Sequence, residues 1–166
     1  MHIKRRPNKV LAYFKDKLFA GLSVRPVYGP AVGDYDADHH AAIRIVRDEA
    51  LRRGSRNGLE IGGCSAPMTT HLPCKIVNTD IDAQTLQVGR YVFARRRHSN
   101  VTFVCCDGHQ LPFREKSFDF VSMFSALHHF SDPAAVLTKA ARLLRHNAFM
   151  AVMCEPVGHY LSWKTR

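Results

Sequence analysis

Three features are missing from this sequence: a long apolar run, a secretory signal and cysteines at C-x-x-C spacing. No stretch approaches the roughly 20 apolar residues that a membrane-spanning helix needs, and the basic start of the chain lacks a signal-peptide core. The five cysteines are odd in number and show no C-x-x-C spacing, so we expect reduced, buried thiols and no metal site. The sequence therefore predicts a soluble, cytoplasmic protein.

Acidic residues are also scarce, and the resulting charge favours anionic partners. The chain has 24 Lys and Arg against 14 Asp and Glu, a net charge of +10 and a pI near 9.7. Such an excess attracts RNA, lipid headgroups or acidic substrates, although a solvated basic face is the simpler reading. The cations cluster at Lys4, Arg5, Arg6, Lys9, Lys15 and Lys17, and again at Arg95, Arg96 and Arg97.

The first 56 residues are predicted to form a lead-in region ahead of the main domain. Apolar residues recur at helical spacing over Met1–Leu22, with a basic opposite face that fits packing on the domain or binding at the periphery of an anionic membrane. Ser23–Asp36 is rich in Pro and Gly and is predicted to be a loop. A second helix is predicted over Asp38–Arg53, ended by Gly54.

Residues 57–166 alternate short apolar runs with helical segments. This alternation predicts an α/β fold, a Rossmann-like three-layer sandwich whose mainly parallel sheet is covered on both faces. The helix over Pro133–Arg145 has Asp132 as its expected N-cap. The predicted strands are Leu59–Ile61, Ile76–Thr79, Val101–Cys106, Phe118–Phe124 and Phe149–Cys154.

The residues that follow these runs predict a nucleoside-binding crevice. Ligands of open parallel sheets bind outside the carboxyl ends of the strands, where the strand order reverses. Glycines such as Gly62 allow a tight turn, Asp80 can accept both hydroxyls of a ribose, and Asp107 can accept a hydrogen bond from an adenine amine. The candidate binding residues are Glu60, Gly62, Gly63, Cys64, Asp80, Ile81, Asp107, Gly108, His109 and Ser125.

Several segments between Asn57 and Pro156 carry a specific set of motifs in a specific order. They are Leu59-Glu60-Ile61-Gly62-Gly63, Asn78-Thr79-Asp80-Ile81-Asp82, Asp107-Gly108-His109-Gln110-Leu111-Pro112-Phe113, Ser117-Phe118-Asp119-Phe120-Val121, Ala126-Leu127-His128-His129-Phe130-Ser131-Asp132-Pro133 and Glu155-Pro156. Together they resemble the class I S-adenosylmethionine-dependent methyltransferases, in particular the methyltransferase type 11 group.

The resemblance implies S-adenosylmethionine as cofactor and methyl transfer to an unidentified small-molecule, lipid or sugar-linked acceptor. It implies that Glu60 leads the loop around the methionine part, that Asp80 binds the ribose and that Asp107 lies at the adenine. His128 is the candidate general base, because imidazole titrates near neutrality. The alternative for His128 is that it shapes the pocket after the fourth strand.

The departures from the family pattern leave a second function open. Cys64 and Ala66 stand where the family has glycines, and His146-Asn147-Ala148 replaces a P-G-G turn, a change that asparagine tolerates. Only Val157–Arg166 follows the fifth strand, so we expect the usual C-terminal β-hairpin to be lacking and a homo-oligomer or the N-terminal helices to cover the sheet edge. These features favour, as the alternative, a non-catalytic methyltransferase-like binding or assembly module.

Two further readings are weaker. Gly62-x-Cys64-x-x-Pro67 does not match the G-x-G-x-x-G pattern of nicotinamide-dependent enzymes. RNA modification rests on charge alone.

Overall fold

The computed structural model describes residues 35–96 and 99–155, with the backbone alone for residues 35–38. The chain divides into two compact units, Met1–Ala31 and Val32–Arg166, and all described residues belong to the second. The predicted basic helix over Met1–Leu22, most of the loop that follows it and the segment after Glu155 lie outside the described residues.

The described part of the second unit is built on a parallel sheet of five strands in the order β3-β2-β1-β4-β5. The strand order reverses between β1 and β4, because β2 and β3 lie on one side of β1 while β4 and β5 lie on the other. This arrangement confirms the predicted α/β, Rossmann-like fold. The strands are β1 (Asn57–Ile61), β2 (Lys75–Asp80), β3 (Val101–Cys105), β4 (Phe118–Phe124) and β5 (Leu144–Met153).

Side-chain caps start the helices that follow the strands. The Asp82 carboxylate accepts the amides of Gln84 and Thr85, and the Asp132 carboxylate accepts the amide of Ala135, as predicted for that N-cap. The helices are α1 (Tyr35–Arg52), α2 (Ala83–Arg95) and α3 (Pro133–Leu143), and short 3₁₀ turns lie at Met68–His71, Gly108–Gln110 and Leu127–His129.

Alternation along β4 separates two apolar layers. Phe120 and Phe124 pack in a buried cluster with Val46 of α1. Val121 and Met123 are one residue out of step, so they point to the opposite face, and α3 contacts β4 and β5 there. The helices and the sheet therefore form the three layers that the sequence predicted.

Some element boundaries differ from the predicted ones. Helix α1 begins at Tyr35 and packs on β4 and β5, so the compact unit includes this helix, which the sequence assigned to the lead-in region. Strand β5 begins at Leu144, because Leu144 pairs with Phe118 before a bulge interrupts the ladder. Asn147 in that bulge has φ of +63°, the left-handed conformation expected where the family has glycine.

The burial expected for the cysteines is correct for Cys74 and wrong for Cys64 and Cys105, which are exposed. Cys64 lies on a loop and Cys105 ends an edge strand, so neither has a layer above it. None of the described cysteines is in a disulfide, and burial raises the pKa of Cys74 to about 11. Among the described residues, no helix combines the length and apolar character needed to span a bilayer.

Candidate functional site

The carboxyl ends of β1, β2 and β3 lie side by side and form a continuous rim. The Gly62 amide donates to the Thr79 carbonyl at 2.8 Å, and the Cys106 amide donates to the Asp80 carbonyl at 3.0 Å. The Cys64 amide donates to the Asp80 carboxylate at 3.1 Å. The structure therefore brings the first three predicted strand-end groups together along one side of the strand-order reversal, which lies between β1 and β4.

The loop after β1 turns in a way that requires small residues. Gly62 has φ of +74°, and a Cβ there would lie 2.7 Å from the Cβ of Ala126. A Cβ on Gly63 would overlap the buried side-chain amide of Asn78. Cys64 adopts φ of +49°, a conformation that costs a non-glycine residue roughly 1 kcal/mol. Its side chain is exposed, and partial burial together with the nearby Asp80 carboxylate raises the pKa of its thiol.

The buried Glu60 side chain accepts hydrogen bonds from the segment that follows this loop. Its side chain is 1% exposed. One carboxylate oxygen accepts the Met68 amide at 2.8 Å, and the other accepts the amide and the hydroxyl of Thr69 at 2.9 and 2.5 Å. Burial raises the pKa of Glu60, while these hydrogen bonds act in the opposite direction. The structure thus places Glu60 against the protein's own loop and not on an open surface, which differs from the predicted direct contact with the cofactor.

Asp80 is partly exposed and is shared between two loops. One oxygen accepts the Cys64 amide at 3.1 Å and the other accepts the Asp82 amide at 3.0 Å. Since an ionised carboxylate has about four acceptor positions, two stay available for the hydroxyls of a ribose. The next residue, Ile81, is 73% exposed, an unusual position for a large aliphatic side chain. The pair offers hydrogen-bond acceptors beside an apolar surface.

Asp107 lies after β3 and starts the Gly108–Gln110 turn. Its Oδ1 accepts the amide of His109 and contacts the ring Nδ1 of His109, both at 2.8 Å. The hydrogen bonds from the His109 amide and ring lower the pKa of Asp107, so the side chain is a carboxylate at neutral pH. Gly108 is buried, and a Cβ there would lie 2.5 Å from the Phe130 ring. Asp107 and His109 face partly outward, whereas Gly108 serves packing.

The fourth strand contributes Ser125 and His128. Ser125 has φ of +49°, its amide donates to Met153 and its hydroxyl donates to the Cys154 carbonyl at 2.7 Å, so it ties the ends of β4 and β5 together. The His128 Nδ1 lies 2.8 Å from the Glu155 carboxylate. The predicted candidate base is therefore held by an acidic residue from the neighbouring strand end.

Sequence reasoning gave no role to Glu155. Its carboxylate accepts three successive amides, those of Ala126 and Leu127 at 2.9 Å and that of His128 at 3.1 Å. The usable signal was an acidic residue directly after the fifth apolar run, the same pattern that singled out Asp80 and Asp107.

Two surface cavities lie away from this rim. One of about 360 Å³ lies beside β3 and is lined by Arg90, Phe93 and Phe103. One of about 600 Å³ lies at the amino ends of β1 and β2 and is lined by Arg56, Lys75 and other residues. Over residues 35–96 and 99–155, no three His, Cys, Asp or Glu side chains are grouped in a way that could hold a metal ion.

The fold and this rim define a class: an α/β domain of the Rossmann-like kind with acidic strand ends suited to a nucleoside. The family model for the methyltransferase domain matches residues 59–152. The chain therefore belongs to the methyltransferase domain family, which confirms the resemblance seen in the sequence and gives no support to a non-catalytic module.

A curated relative agrees with this assignment, and two solved structures share the fold. The ubiquinone/menaquinone biosynthesis C-methyltransferase of Hahella chejuensis is 30% identical over 122 residues, which are 69% of this chain and 49% of that protein. The YcgJ protein of Bacillus subtilis superposes with a TM-score of 0.61 at 24% identity, covering 68% of this chain and 50% of that one. A methyltransferase of Aquifex aeolicus, described as SAM-dependent, gives 0.60 at 14% identity, covering 73% and 72%. The chain spans about half the length of the curated relative.

Proposed function

We propose that this chain binds S-adenosylmethionine at the rim formed by β1, β2 and β3 and transfers its methyl group to a small-molecule acceptor. The observation that carries the proposal is the union of Gly62, Asp80 and Asp107 at adjacent strand tips. An adenosyl ligand fits these three groups. Gly62 provides a turn without a side chain, Asp80 keeps unused acceptor positions, and the Asp107 carboxylate faces outward.

The residues present fit this cofactor. The two remaining acceptor positions of Asp80 match two ribose hydroxyls, and exposed Ile81 offers an apolar surface to one face of an adenine ring. The Asp107 side chain is 40% exposed, and its Oδ2 can accept from the adenine amine while Oδ1 stays bonded to His109.

The sulfonium supplies an activated methyl group, so the protein has mainly to align the acceptor and, for some acceptors, remove a proton. We propose His128 for that proton, because it follows β4 at the same edge of the sheet. Glu60, Ser125 and Gly108 support the loops around the ligand and do not contact it in this proposal.

The acceptor that we propose is a small aromatic molecule with oxygen substituents. Its support is that curated relatives bear names of quinone-pathway enzymes, among them the one from Hahella chejuensis and a 2-methoxy-6-polyprenyl-1,4-benzoquinol methylase of Leishmania donovani. Two further proposals rest on the sequence. One is a cytoplasmic location, at the periphery of a membrane where the acceptor carries a lipid tail. The other is an oligomer that covers a sheet edge.

Calorimetric titration with S-adenosylmethionine and S-adenosylhomocysteine tests the binding step. We expect micromolar or tighter dissociation constants, and Asp80→Asn should weaken binding by about 1–3 kcal/mol because it removes a charged acceptor. Asp48→Asn is the matched control, since Asp48 is exposed on α1 and pairs with Arg47. Absence of heat for both ligands, or equal affinities for the two variants, would contradict the proposed site.

A further inference from the structure

Glu155 makes several contacts with the candidate site, although it lies outside the paired strands. It lies just beyond β5, and its carboxylate accepts the amides of Ala126, Leu127 and His128. These amides begin the Leu127–His129 turn, whose own N-cap position, Ala126, has no side-chain acceptor. Glu155 therefore caps this turn from a neighbouring strand.

The fourth contact concerns the His128 ring. Its Nδ1 lies 2.8 Å from Glu155 Oε2, and the two side chains are 21% and 11% exposed. An ionised carboxylate, which already accepts three amides here, can only accept from the ring, so Nδ1 carries the hydrogen. The neutral ring then has Nε2 as its basic nitrogen. One carboxylate thus fixes the backbone, the ring orientation and the tautomer of the same histidine.

We propose that Glu155 is a positioning residue that holds His128 in the Nδ1–H tautomer, so that Nε2 takes the proton of an acceptor hydroxyl during methyl transfer. This inference rests on the proposed function and deepens it, because it names the acceptor class: a phenol or enol whose oxygen becomes methylated. The arrangement follows the general logic in which a carboxylate orients an imidazole base.

The proposed step balances in atoms and electrons. His128 Nε2 accepts the hydroxyl proton while a lone pair of the oxygen forms the new oxygen–carbon bond. The carbon–sulfur bond breaks, its electron pair stays on sulfur, and the imidazolium later releases its proton to water. Glu155 keeps its charge throughout and stabilises the imidazolium at 2.8 Å.

A purely structural capping role makes a different prediction from a tautomer-setting role, and Glu155→Gln separates them. A glutamine oxygen in the place of Oε1 can still accept the amides of Ala126 and Leu127, while the nitrogen in the place of Oε2 gives up the bond from the His128 amide. Its amide nitrogen, however, donates to Nδ1, which moves the ring hydrogen to Nε2 and removes the base. Glu115→Gln is the matched control, because Glu115 is exposed before β4.

The first readout is the ring nitrogen spectrum of His128 in the full chain, assigned with His128→Gln. Long-range proton–nitrogen correlation should show the Nδ1–H tautomer in the parent protein and in Glu115→Gln, and the Nε2–H tautomer in Glu155→Gln. An Nε2–H tautomer in the parent, or no change in Glu155→Gln, overturns the inference. This measurement needs neither cofactor nor acceptor.

The second readout is transfer of a labelled methyl group to 2-methoxy-1,4-benzoquinol as a phenolic probe, with benzylamine as an amine probe. We expect kcat for the phenol to fall by about 10²–10⁴-fold in Glu155→Gln, as for other misoriented imidazole bases, with the Kd for S-adenosylmethionine within threefold of the parent value. Turnover of the amine alone overturns the acceptor class. Failure of the parent protein to bind S-adenosylmethionine sinks the proposed function instead, and the tautomer result then stands separately.

Discussion

The two ends of the sheet use their carboxylates for opposite purposes. At the amino end, Asp119 accepts the amides of Arg56 and Asn57 at 2.8 and 2.9 Å, and its other oxygen pairs with Arg145 at 2.7 Å. Three groups of the protein surround this carboxylate, and one of them is a cation that balances the charge. Because three contacts with the protein use most of its acceptor positions, Asp119 joins β1, β4 and β5 and serves stability.

At the carboxyl end, Asp80 accepts the amides of Cys64 and Asp82 and lies beside the Cys64 thiol, and Asp107 contacts the amide and the ring of His109. Among the residues that the structure describes, no lysine or arginine forms an ion pair with either. A carboxylate that keeps free acceptor positions and no strong counter-ion is suited to an external ligand. The comparison teaches that the share of a carboxylate already used by the protein distinguishes a structural acid from a binding one.

Glu60 gives the largest expected effect, because it lies at the carboxyl end but is bonded like a structural acid. Glu60→Ala leaves the Met68 and Thr69 amides and the Thr69 hydroxyl without acceptors, so the free energy of unfolding should fall by about 3 kcal/mol. Urea unfolding with an unchanged slope measures this loss. Glu115→Ala, an exposed control, should stay within about 0.5 kcal/mol. If the Glu60 variant keeps the stability of the parent protein but loses affinity for the cofactor, Glu60 contacts the ligand and this interpretation is wrong.

Asp119 should show a smaller loss with a definite pH dependence. Burial would raise the pKa of Asp119, but the amides of Arg56 and Asn57 and the Arg145 guanidinium outweigh it and lower the pKa. A lowered folded-state pKa stabilises the fold above the unfolded value of about 4, and this stabilisation is lost as the pH falls through the folded value. We expect Asp119→Asn to lose about 2 kcal/mol at pH 7 and progressively less toward pH 3. A difference that stays constant with pH would contradict this role.

Cys64 should give the smallest effect and sharpens the description of the binding end. Cys64→Gly relieves φ of +49° but gains flexibility when unfolded, so the net stability change should be within about 1 kcal/mol. Affinity for S-adenosylmethionine should rise by less than about tenfold, or 1.4 kcal/mol. Cys64→Ala is the paired variant, since it removes the thiol and keeps the backbone cost. Equal gains in both would assign the effect to the thiol alone.

The strands were the easiest elements to predict. β4 agrees at both ends, because its buried apolar run is bounded by Lys116 and Ser117 on one side and Ser125 on the other. β5 was predicted to begin five residues late, since Arg145 and His146 look like helix ends and only pairing with Phe118 makes Leu144 a strand residue.

The site shows the same division. The positions of Asp80 and Asp107 followed from the rule for parallel sheets, whereas the different use of Glu60 and the network of Glu155 required coordinates. Most partners of Glu60 and Glu155 are backbone amides, and backbone amides carry no signature in the sequence.

The sequence alone determined the class of the fold, the order of its strands and helices and the family to which the chain belongs. These depend on apolar periodicity and on local motifs such as Asp107–Phe113, which act over a few residues. The tertiary structure alone decided which acids face the protein and which face outward. That choice depends on donors brought from distant segments, such as the contact between Glu155 and Ala126, and only the folded chain brings such segments within 3 Å of each other.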